Sequence, residues 1–130
     1  MMWGMRILVV EDEPLLQMLV VDNLEELGFK AETAGSATEA LNKLRLIAGG
    51  FDGALVDLGL PDYGGDVLVR EMRALHPSLP VVVASGQGEG AVRDRFKDLA
   101  RIVVLAKPFS GDELASALRA AGIGIPRDAD

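Results

Sequence analysis

A chain of 130 residues with 49% apolar and 25% charged side chains has the size of one domain and enough apolar surface for a core. That excludes a disordered, collagenous or disulfide-stapled protein. The 20 Asp and Glu against 13 Lys and Arg leave a net charge of −7, which repels a phosphate backbone and argues against direct nucleic-acid binding. Without cysteine there are no disulfides, thiolate metal sites or cysteine nucleophiles, and no apolar run approaches the roughly 18 residues of a membrane span, so a cytoplasmic unit with no membrane partner is expected.

Met1-Met2-Trp3-Gly4-Met5 leads into Ile7-Leu8-Val9-Val10, the first of four apolar runs rich in β-branched residues. The others are Ala54-Leu55-Val56, Val81–Ala84 and Ile102–Leu105. Continuous rather than alternating runs predict strands covered on both faces, as in a parallel sheet. The more polar Lys30–Ala34 is expected as a fifth strand at an edge. After the first strand, Leu16, Leu19, Val20, Leu24 and Leu27 recur at helical spacing and Gly28 stops the helix. Ser36 and Glu39 read as a capping box opening a second helix on Ala37, Ala40, Leu41, Leu44 and Ile47, ended by Gly49-Gly50. A third helix is expected from about Asp66 to Leu75, before His76-Pro77, and a fourth within Ala91 to Leu99 after the glycine-rich loop Gly86–Gly90. Ser110 and Glu113 form a second capping box ahead of Leu114, Ala117, Leu118 and Ala121, with Gly122 and Pro126 closing the helix. Strand and helix thus alternate five times, which predicts a parallel sheet with right-handed crossovers and helices on both faces. One unit over residues 1–130 is expected, with a core of about 5–122 and a tail at 123–130.

In such a sheet the ligand site lies beyond the carboxyl ends of the strands. Those ends carry Glu11-Asp12-Glu13, Asp57, Ser85 and Ala106-Lys107-Pro108. Asp12 and Asp57 would converge from adjacent strands, and their repulsion is resolved by a hard divalent cation held through oxygens, for which Mg2+ is suited. Taken alone, each feature has a plain structural reading. Glu13 can serve the dipole of the first helix, Ser85 can be a turn residue and Lys107 a surface lysine. Asp57 differs, because a carboxylate directly after a buried apolar run needs a partner. Pro108 forces a turn after the last strand and is a candidate for a cis bond. His76 is read as solvated and, as the single histidine, has no partner for a nucleophile and base pair. The glycine cluster lacks the lysine and hydroxyl residue of a phosphate-binding loop. Trp3 and the methionines read as packing or terminal residues.

Val9-Val10-Glu11-Asp12-Glu13-Pro14, Val56-Asp57-Leu58-Gly59-Leu60-Pro61, Ala84-Ser85-Gly86 and Lys107-Pro108-Phe109 together resemble the receiver family of response regulators. The resemblance implies a flavodoxin-like (βα)5 doubly wound α/β sheet in strand order 2-1-3-4-5. It further implies phosphorylation of Asp57, Mg2+ (or Mn2+) bound by Asp12, Asp57 and the Gly59 carbonyl with Glu11 acting through water, and contacts from Ser85 and Lys107 to the phosphoryl oxygens. Gly86 would leave room for the incoming group. Such a domain takes phosphate from a sensor histidine kinase or histidine phosphotransfer protein, catalyses only its own phosphorylation and dephosphorylation, and signals to a downstream protein. It would be stand-alone or excised from a longer protein. Val104 stands where most members carry an aromatic, so the usual rotating-ring switch is not expected. Val83-Ala84-Ser85-Gly86 also resembles the Phe-Ala-Thr-Gly motif of a stand-alone subgroup. Two other readings have less support: a phosphohydrolase of the haloacid dehalogenase type, against which Gly59 stands in place of a second aspartate, and a degenerate receiver, against which the acidic pair, Asp57 and Lys107 are intact.

Overall fold

The computed structural model describes residues 5–47 and 50–129; Trp3 and Gly49, read above as a packing residue and a helix stop, lie outside them. The elements are β1 (Arg6–Val10), α1 (Pro14–Glu26), β2 (Lys30–Ala34), α2 (Ala37–Leu46), β3 (Gly53–Asp57), α3 (Gly65–Leu75), β4 (Val81–Ser85), α4 (Glu89–Arg95), β5 (Ile102–Ala106) and α5 (Gly111–Ala120), followed by a short 3-10 turn (Pro126–Ala129). The sheet runs β2-β1-β3-β4-β5 with every pairing parallel, and the polar strand is at an edge as expected. Successive strand residues feed opposite cores. Leu8, Val10, Ala54, Val56, Val81, Val83 and Val104 pack with residues of α2, α3 and α4, while Ile7, Val9, Leu55, Val82, Ala84 and Leu105 pack with α1 and α5. This two-sided burial is why the strand segments are apolar without alternation.

Helix ends follow local chemistry, with three departures from the expected pattern. At α5 the capping box is complete, Ser110 Oγ accepting from Glu113 N–H at 3.1 Å and Glu113 Oε1 from Ser110 N–H at 2.8 Å. At α2 it is only half formed: Ser36 Oγ accepts from Glu39 N–H at 3.1 Å, but Glu39 Oε1 takes the Gly35 N–H at 2.7 Å instead. A more extended Ser36 backbone, φ −154° against −88° at Ser110, accompanies that difference. α4 begins at Glu89 rather than Ala91 and ends at Arg95. Its apolar anchors Val92 and Phe96 are buried, while Leu99, which extends the apolar spacing, belongs to a following turn closed by Leu99 N–H to the Phe96 carbonyl. On α1 the buried face is narrower than the periodicity implies: Val20 and Leu24 are buried, but Leu19 is 54% exposed.

Two glycines permit the close contacts. Gly28 takes φ +98° at the end of α1, a conformation glycine adopts without penalty. At Gly65 an added Cβ would come within 2.7 Å of Leu58 Cα and 2.9 Å of the Asp57 carbonyl, so its bare backbone lets α3 press against the end of β3. The C-terminal segment is packed rather than loose. Ile123 and Ile125 are buried, and Arg127 N–H donates to the Leu27 carbonyl, which carries the core beyond residue 122.

Candidate functional site

The parallel register aligns Val10 with Val56, Asp57 with Ala84 and Ser85 with Ala106, so the strands end together. Glu11 and Asp12 follow β1, Asp57 and Ser85 close β3 and β4, and Lys107 follows β5. Among the described residues the buried polar or charged side chains are Glu11, Asp57 and Ser85, all at this rim. Among the described residues, the polar side chains buried as a whole are gathered at this rim, which marks it as the place where the fold concentrates its chemistry.

Carboxylate oxygens of Glu11, Asp12 and Asp57 all lie within 4.8 Å of one another. Lys107 Nζ is 3.1 Å from Asp57 Oδ1 and 3.5 Å from Glu11 Oε1. Asp57 Oδ1 also accepts the Gly59 N–H at 3.1 Å, leaving Oδ2 with no hydrogen bond or ion pair among the described residues. Glu11 is held by the Glu13 N–H on Oε2 at 3.1 Å, and its carbonyl accepts from Gln17 Nε2 at 3.0 Å. Burial raises the Glu11 pKa, the neighbouring Asp57 charge adds to the rise, and the Glu13 N–H and Lys107 oppose it. Burial works against the Lys107 charge, but its hydrogen bond to Asp57 and the charges of Asp57 and Glu11 outweigh this and hold its pKa above the usual value. One ammonium against three carboxylates leaves an excess of negative charge. At such separations each like-charge pair costs on the order of a few kcal/mol at an effective dielectric near 20, before screening at the exposed Asp12. The donor set, carboxylate oxygens with no nitrogen or sulfur, fits a hard divalent ion such as Mg2+.

Ser85 Oγ accepts the Gln87 N–H at 3.0 Å, so Ser85 shapes the turn while its own O–H stays free to donate. A Cβ on Gly86 would meet no atom within 4 Å. The Lys107-Pro108 bond is cis. Glu13 sits at the N-cap of α1 without a side-chain cap bond, so any help to that helix is through charge alone. His76 is at the C-cap of α3 and takes no part in the cluster. The glycine-rich segment is shorter as a loop than expected, because Glu89 and Gly90 form the first turn of α4.

Three contributors were missed from the linear pattern. Gln17 steadies the Glu11 backbone. Asp62 accepts the Ala37 and Thr38 N–H groups and the Thr38 hydroxyl, each at 3.0 Å, tying the loop after β3 to the start of α2. Arg95, on α4, joins Asp57, Leu58, Gly59, Ser85, Gly86 and Gln87 around a pocket of about 190 Å³. Pro61-Asp62 carries a turn signal, but nothing in the linear order says which helix that carboxylate caps.

Known proteins are similar to this chain in sequence and in fold. The sensor kinase CckA of Brucella abortus (strain 2308) is 33% identical over 113 residues, covering 87% of this chain and 12% of the relative. The two-component response regulator PhoP of Pseudomonas aeruginosa is 36% identical over 118 residues, covering 89% of this chain and 51% of the relative. The chain thus spans about half or less of the length of these curated relatives. The solved structure of the response regulator protein TrrA from Thermotoga maritima, a complex with Mg(2+)-BeF, is 27% identical with a TM-score of 0.75 and covers 90% of this chain and 98% of that one. The family model for the response regulator receiver domain matches residues 7–119, from the second residue of β1 to the last but one of α5, and the chain belongs to that family.

Proposed function

We propose that Asp57 is the phosphoacceptor of this receiver and that Glu11, Asp12, Ser85 and Lys107 form its transfer site. The observation that carries the reading is the convergence of three carboxylates and one lysine at the ends of β1, β3 and β5, within 4.8 Å for the carboxylates and 3.1 Å for the Lys107–Asp57 pair. Asp12, Asp57 and the Gly59 carbonyl would hold Mg2+, or Mn2+ in its place, with Glu11 acting through water. Bound there, the ion supplies positive charge to the transferring oxygens.

The chain's own groups do the rest. Asp57 is oriented through Oδ1 by Lys107 and the Gly59 N–H, and its other oxygen attacks phosphorus. With a phosphohistidine donor the P–N bond breaks, its electron pair leaves on the imidazole, which takes up a proton, and Asp57 becomes an acyl phosphate. Lys107 and the Ser85 hydroxyl then meet phosphoryl oxygens, with room beside Gly86. Hydrolysis returns the carboxylate and inorganic phosphate, so the unit catalyses only its own cycle. The donor is a sensor histidine kinase or histidine phosphotransfer protein, and the readout a downstream protein in the cytoplasm. Residues 1–130 act as one domain, whether alone or within a longer protein.

The test is incubation with acetyl phosphate and Mg2+ followed by intact-mass measurement. The parent should gain one phosphoryl group and Asp57→Asn none. Equal labelling of the two would reject the assignment.

A further inference from the structure

We propose that Arg95 is a phosphoryl-binding residue, an arm from α4 that exchanges Gln87 for a phosphoryl oxygen once Asp57 is phosphorylated. The proposal rests on Asp57 being the acceptor. Arg95 lines the same 190 Å³ pocket as Asp57, Gly59 and Ser85, so it faces the place where the group must arrive. Lys107 reaches Asp57 from the end of β5; Arg95 approaches from α4.

Its present partner is weak. Arg95 Nη2 donates to the neutral Gln87 Oε1 at 3.1 Å, and among the described residues no carboxylate forms an ion pair with it. Arg70, Arg93 and Arg119 each have one. The backbone beneath the arm is fixed: Arg70 Nη2 donates to the Arg95 carbonyl at 2.8 Å, and Arg70 forks onto both oxygens of Asp98 at 2.8 and 2.9 Å. A change of partner is therefore a side-chain movement and needs no shift of the C-terminal end of α4.

Charge supplies the drive. Even with a divalent ion and Lys107 in place, a phosphoryl dianion beside Glu11 and Asp12 leaves the cluster negative. A guanidinium presents its donors in a planar fork that matches phosphate oxygens, a contact stronger than one to a neutral amide. Leaving Gln87 also frees the loop at Gly86–Gly88, so α4 senses phosphate without an aromatic at position 104.

The test titrates Mg2+ and then beryllofluoride, a phosphoryl mimic, into the parent, Arg95→Gln and Arg95→Lys, while NMR follows the Arg95 Nε–Hε resonance. Beryllofluoride affinity should fall about tenfold in Arg95→Gln, the size expected for one charge-assisted contact, with Mg2+ affinity unchanged and partial recovery in Arg95→Lys. In the parent the Nε–Hε resonance should shift on adding beryllofluoride. Parent-like beryllofluoride affinity in Arg95→Gln, equal loss of Mg2+ and beryllofluoride affinity, or a silent resonance would overturn the proposal while phosphate labelling of Asp57 still stood. A parent that takes no phosphate on Asp57 would overturn the acceptor reading and this proposal together.

Discussion

The Lys107 ammonium lies 3.1 Å from the Asp57 carboxylate, an ion pair that spans the width of β4 and joins the ends of β3 and β5. Its side chains are 25% and 10% exposed, so removing one partner strands a charge that solvent only partly reaches. Lys107→Met should therefore destabilise the protein by about 1–2 kcal/mol in the absence of divalent ions, less than the loss for a fully buried pair. Mg2+ should recover most of that loss, because the ion takes over the neutralising role. Urea unfolding with and without Mg2+ checks both parts, and a Lys107→Met deficit that Mg2+ leaves untouched would contradict the shared role.

The carboxylate cluster ties metal binding to folding. A ligand that binds only the native state at a hundred times its Kd adds about 2.7 kcal/mol, so saturating Mg2+ should raise the melting temperature of the parent. Asp12 is exposed and contributes to the cluster without being part of the core. Asp12→Ala should thus raise the metal-free melting temperature modestly, by relieving repulsion with Asp57 and Glu11, and abolish most of the Mg2+ gain. An undiminished Mg2+ response in this variant would place the ion elsewhere.

Asp62 offers a pH test away from the metal ligands. The N–H groups of Ala37 and Thr38 hold its carboxyl well below the usual range, at about 2. A folded-state pKa below the unfolded one contributes stability that is present above the usual carboxylate range and lost as pH falls through about 2. Asp62→Asn should lower the melting temperature at neutral pH, and the gap to the parent should close as pH is taken down to 2. Thermal melts across that series decide it, and a gap independent of pH would mean that the charge of Asp62 contributes nothing.

The sheet could be read from the chain because parallel strands buried on both faces need continuous apolar segments, and Ile7–Val10 and Val81–Ala84 have no competing helical spacing. The rim residues were equally visible, since a polar residue directly after such a segment stands out. What escaped depends on partners distant in sequence or on backbone detail. Asp62 meets Ala37 across 25 residues, and Arg95 reaches the pocket only through the way α4, which packs against β5, brings it beside the ends of β3 and β4. The start of α4 at Glu89 is not legible in the sequence, because Gly88 and Gly90 carry no side chains to mark a helical face. Leu19 has the right spacing for the core, yet α1 is rotated so that only Val20 and Leu24 of its 13 residues are buried.

The signal route follows from Val104. It is buried at 9% exposure, aligned with Val83 in the centre of the β4–β5 pairing, and packed in the core shared with α2, α3 and α4. A valine in a strand has one χ1 angle and a strong rotamer preference, so it has no ring to swing between exposed and buried positions. The parts with freedom to respond lie at the end of β4. Ser85 Oγ and the Gln87 N–H share one hydrogen bond, and a Cβ on Gly86 or Gly88 would meet nothing within 4 Å, so the turn can close on a phosphoryl group without steric conflict. If Ser85 donates to that group, the turn and the first residues of α4 should shift between two states biased by the new contact. In the Mg2+ and beryllofluoride complex, amide shifts should be larger from Ser85 to Leu99 than around Val104. A shift map centred on β5, with the turn and α4 silent, would require a different route through this fold.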